Sequence, residues 1–391
     1  MNIFPRDILY QTPDTFPAGG FIADGVKPIF YEGPAWNDRP TRVFAWYGIP
    51  PSEPGQKLPA MVLVHGGGGT AFADWVRLWN SRGYAALAMD TCGGVPAWHE
   101  TPYSRNPWPR HAHSGPRGWG LDAVSCFPEL PPEEQWPYHA VSAVVLGHSL
   151  LRSFPEVDPA RIGITGVSWG GYLTCLAAGV DDRFAFAAPV YGCGFLDNDC
   201  SGLGVQLRND KERPRLHRWC SLWDPSHYLP AAKMPMLWVN GTNDFAFPMD
   251  SMRRSYRAAN SERHLAIRVR MPHGHGGAGE KPPEIHAIAD MICRKTAPLP
   301  VFTQQGNSTA AAWAEYVSAR PVQKAELNFT RAEGHWTDRF WNTVPAEINA
   351  GCRVSAALPH GATTYFFNIF YDDGCVASTE HVLPGEAITY V

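Results

Sequence analysis

The sequence of 391 residues predicts an α/β fold, in which helices cover both faces of a mostly parallel sheet, followed by a small all-β sandwich of the immunoglobulin-like type. Two observations predict it. Short, continuous apolar runs alternate with helical patterns as far as about residue 297, as in buried parallel strands and their crossover helices. From about residue 298, short β-rich runs separated by turn residues replace this alternation. We therefore expect two domains, 1–297 and 298–391.

The individual elements follow from residue spacing, because apolar runs predict buried strands and apolar positions spaced by three and four predict helices. The predicted strands of the first domain are 28–31, 41–47, 60–64, 85–89, 161–165, 184–190, 236–240 and 265–271. The predicted helices are 71–82, 133–153, 169–180, 249–259 and 283–294. In the second domain the predicted strands are 325–331, 353–358, 363–371 and 375–380.

Two long stretches of the first domain, 91–132 and 191–228, show neither the pattern of a strand nor the pattern of a helix. Irregular segments longer than about 12–15 residues are uncommon in compact domains and usually have a function. The first is rich in Gly, Pro, Trp and His, and its aromatic residues argue against disorder. We expect both stretches to be lids over a pocket, with a surface cap that has its own small core as the alternative for the first.

Composition and charge exclude several classes of protein. With 33 Lys and Arg against 37 Asp and Glu, the formal net charge of -4 gives no general attraction to nucleic acid or to an anionic membrane. No apolar stretch approaches the roughly 18–20 residues that cross a bilayer, and the first residues lack the pattern of a secretory signal. The nine cysteines include no Cys-x-x-Cys pair. We therefore expect a cytoplasmic protein that needs no disulfide, metal ion or organic cofactor.

A candidate nucleophile lies in Gly166-Val167-Ser168-Trp169-Gly170-Gly171, between a predicted strand and a predicted helix. A serine on such a tight turn presents its hydroxyl above the sheet, and the neighbouring glycines prevent collisions within the turn. The following helix directs its positive end toward the anion that forms when an acyl carbonyl is attacked. We therefore expect Ser168 to be a catalytic nucleophile.

A glycine-rich run, His65-Gly66-Gly67-Gly68-Gly69, follows the predicted strand 60–64. Glycines after a strand let backbone N–H groups approach a substrate, so the amides of Gly67 and Trp169 are the candidate donors of an oxyanion hole. A flexible loop or a phosphate-binding turn is the alternative. No Lys-Ser or Lys-Thr pair follows the run, and its spacing does not match a dinucleotide fingerprint.

A serine nucleophile needs a base, and the base needs a carboxylate to orient it. Asp244 comes directly after the predicted strand 236–240, where a carboxylate reaches the catalytic edge of the sheet; a helix cap is its alternative role. Two histidines, His273 and His275, follow the next predicted strand. We expect His275 to be the base, because such bases usually lie several residues beyond the strand. His273 is then a second candidate or a neighbour of the site.

Together these residues resemble the α/β-hydrolase superfamily over roughly residues 28–296, in which the chain order is serine, acid, histidine. The segment Val157-Asp158-Pro159-Ala160-Arg161-Ile162-Gly163 and the segment 241–248 resemble acetyl xylan esterases, dienelactone hydrolases and the catalytic domains of prolyl-oligopeptidase-type peptidases. The segments 240–248 and 271–277, with an appended β-sandwich, most resemble bacterial acetyl-xylan-esterase-like proteins. The elbow lacks the Gly-Cys-Ser-Arg pattern of glucuronoyl esterases, which disfavours that family.

The leading functional hypothesis is a serine carboxylester hydrolase that works through an acyl-enzyme on a small-molecule or carbohydrate ester, for example an acetylated sugar. A serine peptidase of the prolyl-oligopeptidase-like type is the first alternative, although the sequence shows neither a propeller nor an acidic pair that would hold a substrate amine. A catalytically silent binding protein is the second. The predicted sandwich carries no group of catalytic residues. The sequence leaves open whether the protein forms an oligomer through it.

Overall fold

The computed structural model describes residues 3–96, 108–118, 129–199, 201–207, 209, 211–308, 310–372, 374–383 and 386. The predicted fold class is confirmed: a large, mostly parallel sheet with helices precedes two antiparallel sheets. The strands of the large sheet are β1 (Thr15–Pro17), β2 (Lys27–Trp36), β3 (Arg39–Gly48), β4 (Leu58–Val64), β5 (Ala85–Met89), β6 (Val157–Val167), β7 (Phe186–Val190), β8 (Met236–Gly241) and β9 (Arg263–Arg268).

The large sheet has nine strands in the order β1-β2-β3-β5-β4-β6-β7-β8-β9. Antiparallel pairs join β1 to β2, β2 to β3 and β3 to β5, and all pairs from β5 across to β9 are parallel. Every residue of β4 and of β5 is buried, which explains why both strands are continuous apolar runs. The final strand, β9, ends at Arg268, three positions before the predicted end at residue 271.

The five predicted helices are present within three positions at each end, and the described residues contain four further α-helices, of which Arg213–Trp223 has eleven residues. They are α1 (Arg6–Leu9), α2 (Ala73–Asn80), α3 (Trp136–Ser153), α4 (Trp169–Val180), α5 (Gly202–Gln206), α6 (Arg213–Trp223), α7 (Met249–Ala258), α8 (Gly277–Glu280) and α9 (Pro283–Arg294). α3 is buried along nearly its whole length, because it packs on β2 and β6 as well as on α4. Within the described ranges, no helix has both the length and the apolar character needed to cross a membrane.

The strand order predicts where along the sheet edge a ligand binds. The chain passes from β4 to β5 on one side and then returns to place β6 on the other side of β4. In open α/β sheets, ligands bind outside the carboxyl ends of the strands at such a reversal. His65 follows β4 and Ser168 follows β6, so the two glycine-containing motifs meet at this reversal.

Two four-stranded antiparallel sheets form the C-terminal part of the chain. Their strands are β10 (Val301–Asn307), β11 (Ala311–Val317), β12 (Val322–Thr330), β13 (Trp341–Pro345), β14 (Glu347–Asn349), β15 (Arg353–Ala357), β16 (Thr364–Tyr371) and β17 (Cys375–Ser378). The orders are β10-β11-β15-β14 and β13-β12-β16-β17. The structure therefore contains the four strands predicted here, β12, β15, β16 and β17, and adds four that the sequence analysis missed.

The C-terminal sheets cover the open edge of the large sheet at β9. The backbone N–H of Ile267 donates to Ser378 Oγ at 2.7 Å, and the Asn368 side-chain amide donates to the Ile267 carbonyl at 3.0 Å. An ion pair between Arg257 and Glu380, with Nε to Oε2 at 2.6 Å, lies beside this contact. Side chains of the C-terminal sheets thus satisfy backbone groups that an edge strand otherwise exposes.

The structure describes the two predicted lid segments, 91–132 and 191–228, to different extents. Residues 97–107 and 119–128 of the first, including Trp98 and Trp119, lie outside the described residues. Its described part is tied to the glycine-rich loop, since the indole N–H of Trp108 donates to the Gly68 carbonyl at 2.9 Å. The second stretch, 191–228, contains α5 and α6, so the expectation of an irregular segment was wrong there.

Candidate active site

Ser168 sits on a sharp turn between β6 and α4. Its backbone has φ of 60° and ψ of -118°, in a positive-φ region that side-chain-bearing residues rarely adopt. Close approach to the neighbouring strand sets this turn, because a Cβ on Gly170 would collide with the carbonyl oxygen of Val64. The Ser168 amide donates to the carbonyl of Val190 on β7 at 2.8 Å. The turn thus fixes the hydroxyl above the end of the sheet.

A continuous hydrogen-bonded chain joins this serine to a carboxylate. His273 Nδ1 lies 2.6 Å from Asp244 Oδ2, and His273 Nε2 lies 2.8 Å from Ser168 Oγ. Since a carboxylate only accepts, the proton of the neutral ring is on Nδ1 and the lone pair on Nε2 faces the hydroxyl. The other oxygen of Asp244 accepts the backbone N–H groups of Ala246 at 3.0 Å and Phe247 at 2.8 Å. The buried carboxylate is therefore held at both oxygens.

The expectation that His275 is the partner of Ser168 was wrong, and its alternative, His273, occupies that place. The physical reason is the end of β9. The strand stops at Arg268, and Arg270 adopts a left-handed φ of 52°, so the chain turns back before His273. His273 is then five positions beyond the observed end of the strand (273 minus 268), and it therefore meets the expectation of a base several residues past the strand.

His275 instead contacts the glycine-rich loop. Its Nε2 accepts the backbone N–H of Gly66 at 2.8 Å, and its Nδ1 lies 2.9 Å from Glu280 Oε1. The ring packs edge-on against Phe72 and Trp75, at centroid distances of 4.8 and 5.7 Å. The sequence analysis did not single out Glu280, although an acidic residue five positions after a histidine in a Gly-rich segment was the available sign.

A second histidine fixes the next peptide of this loop. The Gly66 carbonyl accepts the N–H of Gly69 at 3.0 Å and lies 2.8 Å from His65 Nδ1. Because the Thr91 N–H donates to His65 Nε2 at 2.9 Å, the ring proton is on Nδ1 and points at that carbonyl. Burial lowers the pKa of His65, against the raising effect of Asp90, which favours this neutral form.

The two predicted oxyanion donors are the backbone amides of Trp169 and Gly67. Trp169 is the first residue of α4. Gly67 is exposed and directly follows Gly66, whose amide is hydrogen-bonded to His275. Among the described residues, neither amide donates a hydrogen bond to a protein group. In a trans peptide the C=O and N–H point in opposite directions, so the Gly67 N–H points away from the bonded Gly66 carbonyl. Both amides are therefore free to donate to a ligand.

Two family models match the chain. The acetyl xylan esterase model matches residues 31–198, and the prolyl oligopeptidase family model matches residues 133–293, so the two overlap across the elbow. The chain belongs to the α/β-hydrolase superfamily. The two family matches indicate that this α/β-hydrolase is a serine hydrolase, consistent with a carboxylic ester hydrolase.

Solved structures share the fold at low sequence identity. The acetyl xylan esterase from Paenibacillus sp. R4 has a TM-score of 0.55 and 21% identity, covering 73% of this chain and 90% of that one. Acetyl xylan esterase 1 from Thermoanaerobacterium sp. JW/SL YS485 gives 0.54 and 16%, covering 72% and 88%. The acylaminoacyl peptidase of Pyrococcus horikoshii gives 0.50 and 21%, covering 71% of this α/β-hydrolase but only 43% of the peptidase.

Aromatic rings pack against Trp169 and His273. The ring of Trp169 makes edge-on contacts with Trp136 at 6.0 Å and Phe247 at 6.1 Å. The ring of His273 stacks on Tyr191 at 4.5 Å and lies 4.7 Å from Phe245, whose side chain is 58% exposed. Within the described part of the chain, no group of three or more His, Cys, Asp or Glu is placed to hold a metal ion.

The loop that carries the acid is anchored to the C-terminal sheets, which the sequence analysis did not predict. The side-chain amide of Asn243 donates to the carbonyls of Trp336 at 3.2 Å, Thr337 at 3.0 Å and Arg339 at 2.7 Å. Asn243 directly precedes Asp244, so the position of the carboxylate depends on a turn that lies about 95 residues later in the chain. A polar residue beside an acid carries no sign of such a distant partner.

Proposed function

We propose that this α/β-hydrolase is a serine carboxylester hydrolase that works through an acyl-enzyme, and that acetyl esters of carbohydrates are among its substrates. One observation carries the proposal: the chain Asp244–His273–Ser168, with distances of 2.6 and 2.8 Å between its partners. This is the arrangement in which a histidine removes the proton of a serine while a buried carboxylate holds its tautomer. It argues against the alternative of a catalytically silent binding protein.

In the first half of the reaction, Ser168 Oγ attacks the ester carbonyl carbon while its proton passes to His273 Nε2. The carbonyl oxygen becomes an oxyanion, and Asp244 stabilises the imidazolium that forms. Collapse of the tetrahedral intermediate breaks the bond to the alcohol, whose oxygen takes the proton from His273. Water then attacks the acyl-enzyme by the same route and releases the acid.

The amides of Gly67 and Trp169 stabilise the oxyanion. The assignment of Gly67 is supported by the fact that the preceding amide, on Gly66, already donates to His275. The amide of Trp169 lies at the N-terminus of a twelve-residue helix, where the helix dipole adds positive potential. Removing one donor of this kind typically costs about 2.7–4 kcal/mol of transition-state stabilisation.

The family matched at residues 31–198 and the two esterase neighbours support an acetylated carbohydrate as the substrate. Phe245 adds a physical reason, because its exposed ring next to His273 offers an apolar face to a sugar ring that enters the site. We expect Phe245→Ala to raise KM for an acetylated xylo-oligosaccharide about tenfold, which corresponds to about 1.4 kcal/mol. An unchanged KM would remove this support.

The test of the mechanism is ester hydrolysis by purified variants. With nitrophenyl acetate, Ser168→Ala and His273→Ala should each lower kcat by at least ~1,000-fold, since both belong to one catalytic unit. Ser142→Ala is the matched control: Ser142 is fully buried in α3, and its hydroxyl has no hydrogen-bond partner among the described residues. Retention of activity by Ser168→Ala would overturn the proposal.

A serine peptidase is the second candidate, because the prolyl oligopeptidase family model matches residues 133–293. The two candidates share the same triad and differ in the leaving group, an alcohol or an amine. A panel of acetylated sugars, aryl esters and aminoacyl nitroanilides separates them. Higher kcat/KM for the acetylated sugars supports the esterase, and higher kcat/KM for the amides supports the peptidase.

A further inference from the structure

A second histidine and carboxylate pair lies beside the proposed triad and takes no part in its chemistry. The side chains of His275 and Glu280 are 12% and 2% exposed, and their Nδ1 and Oε1 atoms are 2.9 Å apart. Placing an acidic side chain in so buried a position is unfavourable unless it is paired, so the pair calls for a function. His275 also contacts the backbone of the glycine-rich loop, at Gly66.

The hydrogen bonds define the protonation of His275. Its Nε2 accepts the N–H of Gly66 at 2.8 Å, so this nitrogen carries the lone pair. The ring proton is then on Nδ1 and donates to Glu280 at 2.9 Å. Glu280 therefore selects the one neutral tautomer that can hold the loop, as a carboxylate does for a metal-bound or catalytic histidine.

The held peptide lies directly against the nucleophile. A Cβ on Gly66 would lie 3.1 Å from the Ser168 Cβ and 2.7 Å from the Val167 carbonyl. The hydrogen bond to His275 fixes the peptide between His65 and Gly66. The two hydrogen bonds to the Gly66 carbonyl fix the peptide between Gly66 and Gly67. The N–H of Gly67 belongs to this second peptide, so its direction relative to Ser168 depends on both anchors.

We propose that His275, oriented by Glu280, is a positioning residue that holds the Gly67 amide where it stabilises the oxyanion. This inference rests on the proposed function. Oxyanion donors act only when the negative charge develops, so loss of the anchor lowers kcat while leaving substrate binding nearly unchanged. His275 itself transfers no proton in the reaction.

Two substitutions of one residue test the proposal with nitrophenyl acetate. His275→Leu removes the acceptor, and we expect kcat to fall about 10–100-fold with KM changed less than about threefold. His275→Gln returns a carbonyl oxygen near the position of Nε2 and should restore most of kcat. Glu280→Gln keeps a neutral acceptor for the ring proton and should cost less than about tenfold.

The matched control is His286→Leu. His286 is also a buried histidine, on α9 and in ring contact with Trp79 at 4.7 Å, and neither ring nitrogen has a hydrogen-bond partner among the described residues. We expect its kcat to equal that of the parent, and thermal unfolding of each variant separates a loss of fold from a loss of positioning. Full kcat in His275→Leu, or equal losses in His275→Leu and His275→Gln at unchanged stability, would refute the positioning role.

The failure of this inference can be told apart from the failure of the proposed function. If Ser168→Ala is inactive and His275→Leu is fully active, the esterase mechanism stands and the positioning role falls. If Ser168→Ala remains active, the proposed mechanism falls and takes the positioning role with it.

Discussion

Replacing Ser168 by glycine should make this protein more stable than replacing it by alanine, although both changes remove the hydroxyl of the proposed nucleophile. The residue has φ of 60° and ψ of -118°, and it is held there by its own N–H bond to Val190 and by the packing of Gly170 under β4. Alanine keeps the Cβ that makes this backbone conformation unfavourable. Glycine adopts positive φ without that penalty.

The magnitude follows from two opposing terms. A side-chain-bearing residue in a sparsely populated backbone region costs about 1–3 kcal/mol, which glycine recovers. Glycine also gives the unfolded chain more freedom, which costs about 0.5–1 kcal/mol. The hydrogen bond from the hydroxyl to His273 is lost in both variants and cancels. The expected net gain of Ser168→Gly over Ser168→Ala is therefore about 0.5–2 kcal/mol in the free energy of unfolding.

Calorimetry on the two inactive variants measures this difference as a change in Tm. The entropy of unfolding of 391 residues is about 0.8 kcal/mol per K, so we expect Ser168→Gly to melt about 0.6–2.5 °C above Ser168→Ala. A control pair at Ser142, inside α3, should show the opposite order, since glycine in a helix is about 1 kcal/mol less favourable than alanine. If Ser168→Gly melts at or below Ser168→Ala while the control pair behaves as expected, the turn at the nucleophile stores no strain.

Three further predictions concern the framework of the site. Asn243→Ala removes the bonds to the turn at 336–339 and should lower kcat/KM for nitrophenyl acetate about tenfold, with unchanged kinetics as the contrary result. Gly170→Ala places a methyl group against the Val64 carbonyl and should cost more than about 3 kcal/mol, so a free energy of unfolding within about 1 kcal/mol of the parent in denaturant titration would contradict the packing described. Burial, together with three nearby arginines, holds the pKa of His381 well below 6.5. Below pH 6.5 the unfolded chain therefore binds a proton at this histidine that the folded protein does not, and the free energy of unfolding falls on acidification by up to about 1.4 kcal/mol per pH unit. Scans of Tm from pH 7 to 5 should show a smaller decrease in His381→Phe, and equal slopes would refute it.

The central sheet could be predicted because its strands are buried on both faces. β4 and β5 are apolar at almost every position, so composition alone predicts both strands; β5 has the predicted bounds, and β4 begins two positions before the predicted start, at Leu58. The C-terminal sheets were harder to predict. β11, with the sequence Ala-Ala-Trp-Ala-Glu-Tyr-Val, alternates between buried and exposed positions, but small alanines fill three of its seven positions and hide the alternation. β14 is exposed at all three residues, so its sequence carries no pattern of buried and exposed positions.

The structure brings Ser168 and Asp244 into one hydrogen-bonded chain, as the sequence predicts, but the histidine between them is His273 and not His275. Ser168 directly follows the last residue of β6, Val167, and Asp244 comes three positions after the last residue of β8, Gly241, so counting from the strand works. The apolar residues at 269 and 271 extend the strand pattern past Arg268, although the backbone has already left the sheet. Only the left-handed turn at Arg270 shows where counting should begin, and an arginine gives no local preference for that conformation.

The contact at Ile267 limits how this protein can be shortened. A chain cut near residue 297 would lose Ser378 and Asn368 and leave both backbone groups of Ile267 open to any passing strand. Such a fragment should self-associate rather than behave as a minimal catalyst. The C-terminal sheets are therefore not a separable module, although they form sheets of their own. Work toward a smaller esterase should substitute residues of the surface that covers β9 before it deletes that surface.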